Sequence, residues 1–424
     1  MKNANLTCLS LLFLAGILPL ILSAQQPVRR CATVEYNKQK EKNNPDEAEA
    51  RQHANQVIRQ YMNEKTSLNT RSLVTIPVVV HVLYNLNIQN ISDEQVHSQI
   101  DVLNRDFGRL NSDTTLTPFA FSSLAVNTDI QFCLATQDPN GNPTTGIERR
   151  QNTSVSTWQN DDGMKSYATG GLDVWDRNRY LNIWVCALAN NFLGYTQLPG
   201  GDSLYDGVVI TSRAFGNTGY VSPPFHLGRT ATHEIGHWLG LNHIWGDDGG
   251  ACPWDPGGND DQINDTPPQG METTGCPTFP VFDNCSPTYP GIMFMDYMDY
   301  TDDACMNMFT QQQSDKMNAV LYTLRIGILT SDGCGTVGIS NIVKGTQITV
   351  YPNPAVNELI IKNSELKIKA IEIYSSLGEK VFSQPVTSNP KQVTISVADF
   401  SPGIYFITVT DQAGNKVTKK VVKM

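Results

Sequence analysis

Charge is scarce in this chain, and no long run of it has one sign. Only 17% of the 424 residues are Asp, Glu, Lys or Arg, and the formal net charge is -10. A nucleic-acid binder needs a basic surface to displace counterions from phosphate, so nucleic acid is excluded as the main partner. Internal repeats and low-complexity tracts are also lacking, which removes solenoid and disordered-tail readings. Long apolar runs are missing beyond the first two dozen residues. The one near the N-terminus, Leu9 to Leu22, is shorter than the roughly 20 residues a membrane helix needs, and Pro19 interrupts it. With Lys2 before it and Ser23-Ala24 after it, the stretch reads as an export signal, residues 1–24.

What is present fits a globular, exported protein of more than one domain. Hydrophobic residues make up 40% of the chain, enough for a sizeable core. Cys8 leaves with the signal, and the remaining eight of nine cysteines enter a compartment where disulfides persist. Cys252, Cys276, Cys285 and Cys305 cluster in sequence, but four cysteines allow three pairings. Residues 25–70 are polar, with a helix predicted around Glu47 to Lys65, and have the composition of a propeptide. The β-branched run Ile76 to Tyr84 predicts a buried strand, followed by a helix from Glu94 with Ser92 and Gln95 as a capping box. Strands are expected at Thr128–Ala135, Tyr180–Ala187 and Gly207–Thr211, a helix from Thr230, and helix from Phe309 to Leu329. Residues 246–291 are rich in Gly, Pro, Asp and Asn and read as a long stapled loop. From Thr346 onward, short alternating runs divided by turn residues predict an all-β, Ig-like sandwich over 346–424.

The chemistry concentrates in His233-Glu-Ile-Gly-His237-Trp-Leu-Gly240-Leu-Asn-His243. On a helix, positions i and i+4 share a face, so His233 and His237 can address one ion. Glu234 stands beside the first ligand as a base for the attacking water. Gly240 can adopt positive φ and turn the chain so that His243 becomes a third ligand. Three imidazoles with an open fourth position is the arrangement of catalytic zinc. The longer signature is that of the metzincins, which have a methionine turn downstream. Two overlapping candidates exist, Met295-Asp-Tyr297 and Met298-Asp-Tyr300.

The following Thr301-Asp-Asp-Ala-Cys305-Met resembles the pappalysin family, particularly ulilysin-like bacterial enzymes. The resemblance spans about Thr75 to Cys334. It implies Met298 beneath the metal and Tyr300 as a phenol beside it, able to stabilise an oxyanion. It also implies disulfides Cys252–Cys285 and Cys276–Cys305, and calcium held by Asp261, Asp265 and Thr266. Asp303 corresponds to an S1′ carboxylate that favours Arg or Lys after the cut. Asp296 departs from the family, where asparagine is frequent. Arg30-Cys31-Ala32 resembles the family's cysteine switch, with Cys31 on the zinc in the zymogen, although Ala32 stands where glycine is usual. A disulfide from Cys31 to Cys133, Cys186 or Cys334 is the rival reading, and those three stay unassigned.

The fold class expected for residues 71–335 is therefore an α/β (α+β) metzincin catalytic domain, with a twisted mixed sheet and an active-site helix. Thr70-Arg71 offers a self-cleavage bond that would leave Arg71 at the mature N-terminus. Tyr351-Pro-Asn-Pro354, Leu377-Gly-Glu-Lys380 and Phe400-Ser-Pro-Gly-Ile-Tyr405 resemble the type IX secretion sorting domain. That likeness implies export across an outer membrane by the type IX machinery, to the medium or cell surface; no segment after residue 24 is apolar enough to be a membrane span, so none is expected in the mature form. The function expected is a secreted zinc metalloendopeptidase made as a latent zymogen and acting on proteins or peptides. The competing class is a surface-attached binding or adhesion protein whose zinc is structural; the presence of Glu234 and an open fourth position argues for the enzyme.

Overall fold

The computed structural model describes residues 30–64, 73–252, 261–335, 348–363, 368–375, 380–386, 392–411 and 416–423. The export signal, the Thr70–Arg71 bond and Leu377-Gly-Glu379 lie outside the described residues.

The N-terminal segment forms two helices, α1 (Thr33–Asn43) and α2 (Pro45–Glu64). The sequence reading placed only the second. The first is so polar that no apolar stripe marks it, and its buried residues are Thr33, Tyr36 and Asn37. The catalytic sheet follows, with β1 (Val74–Tyr84), helix α3 (Asp93–Phe107), the single turn α4 (Phe119–Ser122), β2 (Ile130–Leu134), β3 (Ile147–Gln151), β4 (Leu181–Cys186), β5 (Gly194–Thr196) and β6 (Val208–Thr211). The order is β2-β1-β4-β6-β5, with β3 also pairing with β1. Strand β1 is long enough to carry β2 along its first half and β3 along its second, both parallel. Only β5 runs antiparallel, against β6 at the sheet's edge. The sheet is thus mixed and mostly parallel. Both faces of its centre are covered, which is why β1 and β4 read as mainly apolar runs rather than alternating ones, with His81 and Asn182 buried among them.

Helix α3 opens as expected, with Ser92 Oγ accepting from Gln95 N at 3.1 Å. The reciprocal half of the capping box is not made. The Gln95 amide instead donates to the Ser212 and Phe215 carbonyls, spending its donors on the loop that leads to the active-site helix. That helix, α5 (Arg229–Trp238), packs against α3, β5 and β6. The predicted C-terminal helix divides into α6 (Gln311–Thr323) and α7 (Ile326–Leu329). Between α5 and α6 no described residue of 246–291 is in a helix or strand.

Three disulfides hold the domain. Cys252–Cys285 and Cys276–Cys305 pair as the family resemblance implied. Cys133–Cys334 ties β2 to the domain's end, leaving Cys31 and Cys186 as buried thiols.

The C-terminal unit has two antiparallel sheets, β7 (Ile348–Tyr351), β8 (Glu358–Asn363) and β11 (Gln392–Ser396) in one, and β9 (Ile368–Ser375), β10 (Lys380–Pro385), β12 (Gly403–Asp411) and β13 (Lys416–Lys423) in the other. Leu359, Ile361, Ile371, Ile373, Ile395 and Ile407 share its core. The alternating runs predicted five of these seven strands; β10, largely exposed, gave no apolar pattern, and β13, rich in lysine, was not predicted as a strand.

Candidate active site

Helix α5 ends in a Schellman arrangement. Leu241 N donates to Gly236 O and Gly240 N to His237 O, both at 2.9 Å, with Gly240 at φ +89°. The left-handed turn reverses the chain and returns His243 toward the face that carries His233 and His237. All three imidazoles are buried, each about 1% exposed.

Each ring is held by an oxygen on its Nδ1. His233 bonds the Tyr297 carbonyl at 2.7 Å, His237 the Leu241 carbonyl at 2.8 Å, and His243 the Asp247 carboxylate at 2.8 Å. A carbonyl only accepts, so Nδ1 of His233 and His237 carries the hydrogen and Nε2 keeps its lone pair. Asp247 sets the same tautomer in His243. The Nε2 atoms of His237 and His243 nevertheless face one another at 3.1 Å. Two lone pairs so placed repel unless a cation lies between them. Burial, followed by the charge of His243, lowers His237 to a pKa of about 3, so His237 itself is neutral at neutral pH. The donor set fits zinc, and a ligand atom of Cys31 completes it: all four lie within 4.8 Å of one another.

Met298 is fully buried under α5, its sulfur so close to Gly236 that any side chain there would collide with it. Met295 packs elsewhere, with Phe121, Ile244 and Met308. Of the two overlapping turns, the structure therefore sets Met298 beneath the histidines. The Tyr300 ring lies 5.8 Å from His233 and 4.9 Å from His243, and its hydroxyl donates to the Cys31 carbonyl at 3.2 Å.

Glu234 is buried, and burial raises its carboxyl above the ordinary value. Its Oε2 accepts from Thr196 Oγ1 at 3.0 Å and from Thr33 Oγ1 at 2.9 Å. The edge strand passes so close that a Cβ on Gly194 would meet Glu234 Cγ at 2.8 Å. The N-terminal segment lies along this edge. Leu193 N donates to Arg30 O, Ala32 N to Gly194 O, Thr196 N to Thr33 Oγ1, and Asn37 Nδ2 to Thr196 O, all at 2.8–2.9 Å. Ala32 has φ -99°, open to any residue, so the missing glycine costs nothing here. Burial, and then the Glu234 charge, push the Cys31 thiol up, so a thiolate there needs a cation beside it.

The remaining predicted residues sit at the margins. Asp303 is fully buried, its Oδ2 accepting from Leu227 N at 2.8 Å and Arg229 N at 3.4 Å, at the mouth of α5. Asp265 accepts from Thr310 Oγ1 at 2.7 Å and Gln312 N at 2.9 Å, capping α6. Thr266 Oγ1 donates to Asp261 Oδ2 at 2.9 Å, and the buried Lys316 ammonium donates to the Asp261 carbonyl at 3.4 Å. Sequence reasoning did not reach Thr33, Thr196, Asp247 or Trp245, whose ring stacks on His243 at 4.3 Å. Asp247 follows His243 by four residues, a spacing that could have flagged it.

Proteins similar to this chain include extracellular metalloproteases. An extracellular metalloprotease of Arthroderma benhamiae is 32% identical over 268 residues, covering 62% of this chain and 76% of its own length. The profile described as pregnancy-associated plasma protein-A matches residues 171–322. The chain belongs to this pappalysin family of metallopeptidases. Mature mirolysin of Tannerella forsythia, solved with a cleaved peptide, is 49% identical, with 61% of this chain and 97% of that one covered at a TM-score of 0.59. A promirolysin mutant from the same organism is 44% identical and covers 71% of this chain and 97% of its own, at a TM-score of 0.65. Residues 349–424 match a secretion system C-terminal sorting domain. The chain is thus an exported metallopeptidase of metzincin fold, acting outside the cell or at its surface. Among the described residues no helix is long and apolar enough to cross a membrane.

Proposed function

We propose that this pappalysin-family chain is a zinc metalloendopeptidase made latent by residues 25–70 and cutting before Arg or Lys. The observation that carries the reading is the convergence of His233, His237, His243 and Cys31 on one point, beside the buried Glu234 carboxylate. The greater coverage of this chain by promirolysin than by mature mirolysin supports a removable N-terminal segment.

His233, His237 and His243 would hold the zinc ion, which would supply Lewis acidity to a scissile carbonyl and to a water. Glu234 takes the proton of that water and hands it to the leaving amine, a task suited to a carboxyl raised by burial. The Thr196 hydroxyl steadies the Glu234 carboxylate. Tyr300 donates its phenol to the oxyanion once Cys31 has left. A substrate strand pairs with the β5 edge, whose outward N–H and C=O groups are taken by Arg30 to Asn37 in the latent form. Cys31 would join the three histidines in holding the metal until the N-terminal segment leaves the site, with Thr70–Arg71 as the bond cut.

Specificity rests on Asp303 and calcium on Asp261, Asp265 and Thr266. Asp303 Oδ2 serves the Leu227–Arg229 loop, so its part is to bring one carboxylate edge to a basic P1′ side chain while bracing that loop. The calcium reading predicts that chelation at constant zinc lowers Tm; the Lys316 ammonium beside Asp261 gives a loop that is indifferent to calcium instead.

Proteomic mapping of cleavage sites tests the specificity. Wild type should cut before Arg and Lys, including at Thr70–Arg71, and Asp303→Asn should lose the basic preference while still cutting. An unchanged profile for Asp303→Asn removes the carboxylate from specificity and leaves the peptidase intact.

A further inference from the structure

Tyr36 of α1 is 1% exposed, although it belongs to a segment otherwise almost wholly polar. It crosses the edge strand to the side opposite Glu234 and enters a pocket of the catalytic domain walled by Trp184, Tyr195 and Met164. Its ring lies 4.8 Å from that of Tyr195. At the bottom its hydroxyl donates to Asp162 Oδ1 at 2.7 Å. One helical turn on, Lys40 Nζ reaches Asp162 Oδ2 at 3.0 Å.

The charge pair at the bottom of the pocket does not depend on α1 for its partner. Lys165 Nζ lies 2.8 Å from Asp162 Oδ1 and donates to the Tyr205 carbonyl at 2.8 Å, and both members of the pair belong to the catalytic domain. Removing α1 therefore leaves a neutral, aromatic-walled cavity with its carboxylate still compensated. Its chemistry suits a phenol followed four residues later by a cation, presented on a helix. A second contact lies far along the segment, where Ile58 of α2 packs on Ala319 and Val320 of α6. Neither contact involves the metal ligands, and a cut between α2 and β1 breaks neither.

We propose that residues 30–64, once severed, remain a ligand of the enzyme in trans, anchored by Tyr36 in the Asp162–Lys165 pocket independently of the Cys31 thiol. This rests on the zymogen reading. Buried aromatic residues in well-packed pockets are the usual centres of binding energy. A hydrogen bond to a charged acceptor adds about ten-fold or more in affinity. Cleavage at one bond is then insufficient for activation, and the fragment must also dissociate or be destroyed.

The test uses the full-length Glu234→Gln chain, inactive by design so that the fragment survives, nicked by brief trypsin treatment between α2 and β1. Fragment affinity is read by fluorescence anisotropy with labelled residues 30–64, added after the nicked fragment has been removed. Expected is retained binding of a Cys31→Ser fragment. Tyr36→Phe should raise Kd about ten-fold and Tyr36→Ala about a hundred-fold or more, with the same losses in the Cys31→Ser background. The substitutions sit on the fragment, so the fold of the enzyme is unaffected. Tyr36 variants that bind within two-fold of the parent, or complete loss of binding on Cys31→Ser alone, overturn the proposal. Binding is measured without turnover, so failure of the peptidase reading would show separately, as wild type that does not cut once the fragment is gone.

Discussion

Thr33 Oγ1 donates to Glu234 Oε2 at 2.9 Å, while two residues earlier Cys31 presents its sulfur to the three histidines. One short segment therefore occupies both the metal and the base. Thr33→Val keeps the shape and removes the donor. The zymogen should then process itself several-fold faster, followed by mass spectrometry of the product starting at Arg71. An unchanged rate would assign latency to the thiol alone. Activity measured once the segment has been removed should be unchanged, because Thr33 belongs to that segment.

Asp247 accepts the Nδ1 hydrogen of His243 at 2.8 Å. Carboxylates so placed fix the tautomer and raise ligand basicity, and their loss typically costs about 10–100-fold in metal affinity. Asp247→Asn should show a loss of that order in zinc competition against a chromogenic chelator, with the fold retained. Equal affinity would mean that the Trp245 stack alone orients the ring.

Asp296 is fully buried. Its Oδ1 accepts from Met298 N at 2.7 Å and Gln313 Nε2 at 3.0 Å, whereas Oδ2 has no hydrogen-bond partner among the described residues. Burial pushes its pKa up to about 7. A carboxyl raised in the folded state contributes stability that is complete below the unfolded pKa, near 4. That stability is lost as pH rises through 7. Asp296→Asn keeps an acceptor and cannot ionise. Its Tm advantage over the parent should therefore be small at pH 5 and larger at pH 8. A constant difference would mean that Asp296 does not titrate in that window.

The zinc motif was legible because its chemistry is local. Helical spacing and one glycine place His233, His237 and His243 within eleven residues. Strand β1 was legible because burial on both faces favours a β-branched run, the exception being His81, whose ring nitrogens are paired with Glu148 and Asn182. Choosing Met298 over Met295 needed either a family likeness or the sight of Gly236 against its sulfur. Cys133–Cys334 spans 201 residues, and no local pattern could pair them. Thr33 and Thr196 escaped notice because a hydroxyl on a polar segment looks the same whether it faces water or a buried carboxylate. Helix α1 was hidden likewise: its one large buried side chain, Tyr36, makes no stripe.

The central claim is that Glu234 does the proton chemistry at a zinc held by three histidines. Wild type and Glu234→Ala, each freed of residues 25–70, are compared for zinc content and for hydrolysis of a basic peptide substrate. The account predicts one zinc per chain in both, with kcat lower in the variant by about 10²–10⁴-fold, the range for losing a general base. A zinc-loaded variant that cuts at the wild-type rate, or a zinc-loaded wild type that cuts nothing, would contradict it.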